Sequence, residues 1–288
     1  MNISIIAPAR KVSFEEMSFA FDYIRSRGHN PIYDERLFAS CHQFAGDDDA
    51  RAALFQEYLD RDDIDVILCA RGGYGTVRII DKLNFDKFIQ KPKWIAGYSD
   101  VTVLHAKLQS LGCESLHSTM PINFADNTKE SLDSLFDAIE GKRITYEIPS
   151  SDINIPGKAE APLVGGNISV LYSLLGSDIF PNTDGKILFL EDLDEYLYHI
   201  DRMMQALKRA GKLKNLKALI VGAMTQMHDN TIPFGKTAYE IIEETVKEYN
   251  YPKIFGVSIG HIEENNNAVV IGGEIEIEVK NNQIKTLQ

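Results

Sequence analysis

The chain has 288 residues, 44% hydrophobic and 25% charged, which is typical of an ordered globular protein with one large domain or two smaller ones. Its net charge of −12 argues against nucleic acid or an anionic membrane as a partner, because phosphate binding needs clustered lysine and arginine. Three scattered cysteines exclude a disulfide framework or a tetrahedral zinc site.

The first half of the sequence alternates short apolar runs with amphipathic helical patterns. This alternation predicts a Rossmann-like domain, in which a parallel sheet is covered by helices on both faces. The predicted strands cover residues 3–7, 64–70 and 93–98, and the predicted helices cover residues 14–27, 76–83 and 100–111. No apolar run approaches the roughly 18 residues of a membrane span, and the N-terminus lacks a basic leader, so we expect a cytoplasmic protein.

The composition turns polar and proline-containing between about Gly141 and Pro162, where the helical period disappears. We therefore predict an N-terminal α/β domain over residues 1–145, a linker over 146–162 and a smaller α/β C-terminal domain over 163–288. In the latter, helices are predicted at 167–175, 196–210 and 236–249, strands at 186–190, 218–223 and 254–259, and a β-rich tail around Ile271, Ile275 and Ile277.

Ser99 lies in the stretch Gly97-Tyr98-Ser99-Asp100, between an apolar strand pattern and a helical pattern. A serine at such a turn can act as a nucleophile, because the following helix aims N–H groups and its positive dipole end at an oxyanion. Serine is also a favoured N-cap residue, and the second glycine of the G-x-S-x-G pattern is absent. Both interpretations of Ser99 remain open on this stretch alone.

A second motif, Ala70-Arg71-Gly72-Gly73-Tyr74-Gly75, follows the buried strand predicted at 64–70. Its glycines allow backbone N–H groups to approach an anionic ligand closely. The spacing fits neither a dinucleotide-binding loop nor a P-loop. The alternative is a tight turn without a ligand.

A nucleophilic serine needs a base and an acid that orients the base. His261 follows the strand predicted at 254–259, although a histidine there can also be a solvated loop residue. Glu191 continues directly from the strand predicted at 186–190, followed by Asp192, Asp194 and Glu195. These four carboxylates also suit the N-terminus of the next helix, which would explain them without catalysis.

The ordered motifs of the chain resemble those of the LD-carboxypeptidase family of serine peptidases. The resemblance rests on the two motifs above, on Gly165-Gly166-Asn167, on Leu190-Glu191-Asp192 leading to Ile200-Asp201-Arg202-Met203, and on Gly260-His261. It spans nearly the whole chain, from Pro8 to Gly272. Together these motifs are specific, although no single one is decisive.

The resemblance implies that Ser99 is the nucleophile, His261 the general base and Glu191 its orienting acid. It also implies an oxyanion hole from the backbone N–H groups of Asp100 and Gly73. Family members are cytoplasmic homodimers of murein recycling that need no metal or cofactor. The helix after Glu191 departs from the family pattern, which leaves Glu195 as a second candidate for the acid.

The implied activity is release of the terminal D-alanine from a murein tetrapeptide through an acyl-enzyme. The substrate carries carboxylates and the chain is acidic, so local donors must bind it; the candidates are Arg71, Gly72 and Tyr74. One family branch instead confers immunity to microcin C. Two other classes stay open: a non-catalytic two-domain α/β binding module, and a nucleotide-dependent oxidoreductase that would use the glycine-rich loop for a pyrophosphate.

Overall fold

The computed structural model describes residues 1–148, 151–280 and 283–287. Within these ranges the strands are β1 (Asn2–Ile6), β2 (Asn30–Ile32), β3 (Val66–Cys69), β4 (Trp94–Gly97), β5 (Ser115–His117), β6 (Thr145–Ile148), β7 (Gly157–Asn167), β8 (Ile187–Leu193), β9 (Ala218–Thr225), β10 (Lys253–Phe255), β11 (Val269–Ile271), β12 (Glu274–Lys280) and β13 (Gln283–Leu287). The α-helices are α1 (Phe14–Ser26), α2 (Asp48–Asp60), α3 (Thr102–Ser110), α4 (Lys129–Ile139), α5 (Ile168–Ser173), α6 (Leu197–Arg209) and α7 (Ala238–Val246).

The first sheet has the strand order β11-β5-β4-β3-β1-β2. Strands β1 to β5 pair in parallel, whereas β11 returns from late in the chain and pairs antiparallel with β5. All four residues of β3 are buried, as expected for a strand covered on both faces. The predicted α/β class with a parallel N-terminal sheet is confirmed.

The second sheet has the order β10-β9-β8-β7-β12-β13-β6. Strands β7 to β10 are parallel, and β12, β13 and β6 extend them as an antiparallel tail. One hydrophobic cluster contains Leu116 of the first sheet together with Phe189 and Ile220 of the second. The two sheets therefore share part of their hydrophobic core. This shared packing fixes the position of the edge of one sheet relative to that of the other.

Two predicted elements differ from the structure near the motifs. The helix predicted at 76–83 is two 3-10 turns, Thr76–Arg78 and Ile80–Lys82, in a stretch rich in β-branched residues that disfavour a continuous α-helix. The strand predicted at 254–259 ends at Phe255, because Gly256 adopts a left-handed φ of 78°. His261 consequently lies on a loop rather than directly at a strand end.

The segment predicted as a linker contains strand residues at both ends. Strand β6 extends to Ile148 and β7 begins at Gly157, while residues 149–150 of the predicted linker lie outside the described residues. The domain boundaries thus stay a prediction. Within the described part of the chain, no helix is long and apolar enough to cross a membrane.

Candidate active site

Ser99 lies at the sharp turn between β4 and α3, where the chain leaves the first sheet. Its φ of 65° is left-handed, a conformation that costs a non-glycine residue about 1–3 kcal/mol. The N-cap positions of the 3-10 turn and of α3 are Tyr98 and Val101, and neither makes a side-chain cap. Ser99 is therefore not an N-cap, and helix capping does not explain its strained backbone.

A buried histidine anchors the backbone in front of this turn. His105 Nε2 lies 2.9 Å from the Gly97 carbonyl, and its Nδ1 lies 2.8 Å from Ser115 Oγ. Burial, with a contribution from the neighbouring His117, lowers the pKa of His105 to about 3. The neutral ring can donate from Nε2 to Gly97 and accept the Ser115 hydroxyl, which ties the turn to α3 and β5.

The glycine-rich loop lies beside Ser99, because β3 and β4 are parallel neighbours and their carboxyl ends share one edge. The Asp100 carboxylate accepts the Thr76 N–H at 2.8 Å, and Arg51 Nη1 donates to the Gly75 carbonyl at 3.0 Å. These bonds hold the end of the loop against the serine turn. Within the described residues, the N–H groups of Gly73 and Asp100 donate to no protein acceptor.

Gly72 offers a test of how closely the loop approaches the serine. A Cβ at this position would lie 3.0 Å from Ser99 Cβ and 3.2 Å from Ser99 Oγ. We expect Gly72→Ala to slow acylation of Ser99 by tenfold or more, because a small displacement of a reacting group is costly. The rate of labelling by a fluorophosphonate measures the effect.

The matched control for this variant is Gly273→Ala, in which the new Cβ would lie 2.8 Å from Val270 Cγ1. It introduces similar crowding at a loop that does not contact Ser99. Labelling should remain near the native rate in the control. Equal rates in Gly72→Ala and the native chain would mean that the loop is not part of the site.

Glu191 and His261 form a direct pair. Glu191 lies in β8 and is fully buried, and its Oε2 accepts the His261 Nδ1–H at 2.7 Å and the His261 backbone N–H at 3.1 Å. Gly260 makes this approach possible, since a Cβ there would lie 2.5 Å from Glu191 Oε2. His261 is therefore held through both its ring and its backbone.

The two charges of the pair stabilise each other. Burial by itself raises the pKa of Glu191, but the positive charge and hydrogen bond of His261, together with the nearby His117 ring, hold that pKa well below its usual range. Burial likewise favours neutral His261, and the Glu191 carboxylate outweighs it and raises the pKa of His261. An imidazole of raised basicity beside a carboxylate suits a general base.

His261 lines a cleft of ≈ 590 Å³ at the edge of the two sheets. Tyr98, the neighbour of Ser99, also lines it, and its ring packs edge-on against the imidazole with centroids 4.7 Å apart. Within the described residues, no hydrogen bond joins Ser99 Oγ to His261 Nε2. The structure thus brings Glu191 and His261 into direct contact, and packs Tyr98, the residue before Ser99, against the His261 ring. The remaining lining residues are Asn123, Leu193, Thr225, Gln226, Ile262, Glu263, Glu264 and Asn265.

The other carboxylates after β8 have different partners. Glu195 Oε2 lies 2.7 Å from His199 Nδ1, one helical turn along α6, rather than near His261. Asp192 is buried and accepts hydrogen bonds from Asn167 and Leu193, both at 2.8 Å. Burial and the nearby charge of Glu191 raise the pKa of Asp192 to about 7.

The predicted substrate-binding side chains lie on the outer side of the glycine-rich loop. Arg71 Nη1 is 3.7 Å from Glu16 Oε1, and the half-exposed Tyr74 ring is 6.3 Å from that of Phe44. In the described part of the chain, no group of three or more histidine, cysteine, aspartate or glutamate side chains is placed to hold a metal. No role was predicted for His117, whose Nε2 lies 3.8 Å from Glu191 Oε1, because no strand was predicted before it.

Two family models match the chain. Residues 3–118 match the LD-carboxypeptidase N-terminal domain, and residues 160–277 match the LD-carboxypeptidase C-terminal domain. The first match contains Ser99 and the glycine-rich loop. The second contains Glu191 and His261.

Curated relatives and a solved structure resemble the chain over most of its length. The probable murein peptide carboxypeptidase of Bacillus subtilis is 34% identical over 270 residues, which cover 90% of this chain and 83% of the relative. The microcin C7 self-immunity protein of Escherichia coli is 24% identical and covers 88% and 83%, respectively. The crystal structure of muramoyltetrapeptide carboxypeptidase from Oxalobacter formigenes has a TM-score of 0.91 at 26% identity, covering 100% of this chain and 98% of that one.

Proposed function

Because the chain belongs to the LD-carboxypeptidase family of serine peptidases, and is thus a hydrolase, we propose that it releases the terminal D-alanine from murein tetrapeptides. The observation that carries the proposal is the Glu191–His261 pair, whose histidine lines the same cleft as Tyr98, the neighbour of the strained Ser99. We further propose that the enzyme works in the cytoplasm as a homodimer.

The proposed reaction is acyl transfer. Ser99 Oγ attacks the peptide carbonyl while His261 Nε2 takes the hydroxyl proton and passes it to the leaving amine. Glu191 stabilises the imidazolium that forms, as the raised pKa of His261 indicates. The N–H groups of Asp100 and Gly73, which have no protein acceptor in the described residues, would hold the oxyanion before water releases the acyl group.

This mechanism requires Ser99 Oγ and His261 Nε2 to come within hydrogen-bond distance when substrate is bound. Catalytic hydrogen bonds are often long in unliganded enzymes and tighten in the complex, so the missing bond is compatible with the proposal. A chain as acidic as this one, with a net charge of −12, gives no long-range attraction to a substrate that carries carboxylates. Arg71, Tyr74 and the N–H groups from Gly72 onward would supply local recognition.

The deciding assay measures release of D-alanine from L-Ala-γ-D-Glu-meso-diaminopimelate-D-Ala. The lysine analogue, an all-L tetrapeptide and processed microcin C serve as comparisons. We expect turnover of the diaminopimelate tetrapeptide and its lysine analogue only. The all-L peptide places its carbonyl away from Ser99 Oγ.

Each other outcome has a definite meaning. Turnover of processed microcin C alone would assign the chain to an immunity function, as the name of the Escherichia coli relative suggests. Turnover of none, combined with binding of the tetrapeptide, would favour a binding module. Either result would refute the proposed activity.

A further inference from the structure

His117 is the last residue of β5 in the first sheet, and its side chain approaches Glu191 in β8 of the second sheet. It lies opposite Gly97 of β4, so it shares a sheet edge with the serine turn. Its side chain is fully buried, and its Nε2 is 3.8 Å from Glu191 Oε1. That oxygen is the one that does not contact His261.

Three buried polar atoms at this point have no hydrogen-bond partner in the described part of the chain. They are both ring nitrogens of His117 and Oε1 of Glu191. A buried polar atom without a partner is destabilising, and more so when it is charged. Two of the three face each other, and a movement of about 1 Å would bring them to hydrogen-bond distance.

Simple packing does not account for an imidazole here. The ring of His117 lies 5.0 Å from that of Phe189 and 6.0 Å from that of Tyr98, so an aromatic hydrocarbon would suit these contacts equally well. His105, whose ring is 6.0 Å away, provides the contrast, because both of its nitrogens have hydrogen-bond partners. Of the two His117 nitrogens, Nε2 faces a polar atom that also has no partner in the described residues, Oε1 of Glu191.

We propose that His117 is a positioning residue, whose Nε2–H donates to Glu191 Oε1 and orients the carboxylate so that Oε2 faces His261. This inference rests on the proposed function of Ser99, Glu191 and His261. Two N–H groups of His261 already hold Oε2, at 2.7 and 3.1 Å. A donor on Oε1 fixes the remaining freedom of the carboxylate, its rotation about the bond to the side chain.

The test compares His117→Phe, which keeps an aromatic ring but has no donor, with His117→Gln, which keeps one. The readout is the rate of Ser99 labelling by a fluorophosphonate, with thermal melting as the check on folding. We expect His117→Phe to label about tenfold more slowly or worse, as for a buried charged acceptor that loses its donor. His117→Gln should stay within about threefold of the native rate.

A double variant separates positioning from a general structural effect. If His117 acts through Glu191, His117→Phe should slow labelling no further in a Glu191→Gln background. The inference would be overturned by a double variant that labels more slowly than Glu191→Gln alone. Native-rate labelling of His117→Phe, or equal losses in His117→Phe and His117→Gln, would overturn it as well. Native-rate labelling of Glu191→Gln alone would refute the proposed function, and with it the role of His117.

Discussion

Glu191→Gln is expected to lower kcat by about 10³–10⁴-fold, the size of effect seen when the orienting acid of a serine triad is neutralised. The amide has nearly the same shape but cannot stabilise the His261 imidazolium. Its carbonyl can still accept the His261 Nδ1–H, so the loss should come from charge rather than from packing. Steady-state kinetics with the D-alanine-releasing tetrapeptide measures it.

The matched control is Glu195→Gln, since Glu195 pairs with His199 at 2.7 Å instead of with His261. We expect its kcat to remain within about threefold of the native value. A larger loss in Glu195→Gln than in Glu191→Gln would transfer the role of the acid to Glu195.

The same pair predicts a shift in the pH profile. Glu191 raises the pKa of His261 above its ordinary value, so kcat/KM of the native enzyme should fall as the pH decreases through that raised pKa. Without the carboxylate, burial dominates and lowers the pKa of His261. The residual activity of Glu191→Gln should therefore begin to fall only at a lower pH than that of the native enzyme. A fall at the native pH would contradict the pairing of Glu191 with His261.

Ser99→Ala is expected to abolish turnover, with kcat lower by about 10⁵–10⁶-fold, because no other group replaces the attacking oxygen. Alanine meets the same left-handed φ of 65° as serine, so the free energy of unfolding should change little. Loss of the fluorophosphonate adduct in an intact-mass measurement, at a native melting temperature, checks both points. Retained turnover in Ser99→Ala would exclude Ser99 as the nucleophile.

Local patterns were sufficient for part of the fold. Apolar runs predicted β1, β3 and β4, because strands buried on both faces read as continuous hydrophobic segments. The pattern missed α2, in which buried residues include Arg51 as well as Leu54 and Phe55, so no clean polar face marks the helix. Sequence period also says nothing about which strands pair, and the return of β11 to β5 was not predicted.

Part of the candidate site could likewise be predicted from local patterns, and part could not. Ser99 and His261 were predicted as site residues because each follows a strand pattern within a short motif, and their catalytic roles stay a prediction. The sequence alone could not separate Glu191 from Glu195, since both follow one apolar run. In the structure β8 continues to Leu193, which keeps Glu191 inside the buried strand and leaves Glu195 beyond it. The approach of His117 to Glu191 joins residues 74 positions apart, 191 minus 117, and no local pattern encodes it.

The pairing of β11 with β5 also bears on how the chain folds. Strand β11 lies only eight positions after His261, 269 minus 261, and it covers the edge of the sheet next to the strand that carries His117. A fragment that stopped before β11 would expose the N–H and C=O groups of β5, which is the kind of free edge that recruits other chains. The contact also has a large sequence separation, which slows folding because a long loop must close first. The first sheet is therefore complete only with a strand from the last part of the polypeptide, and we do not expect the half that carries Ser99 to fold as a separate cooperative unit.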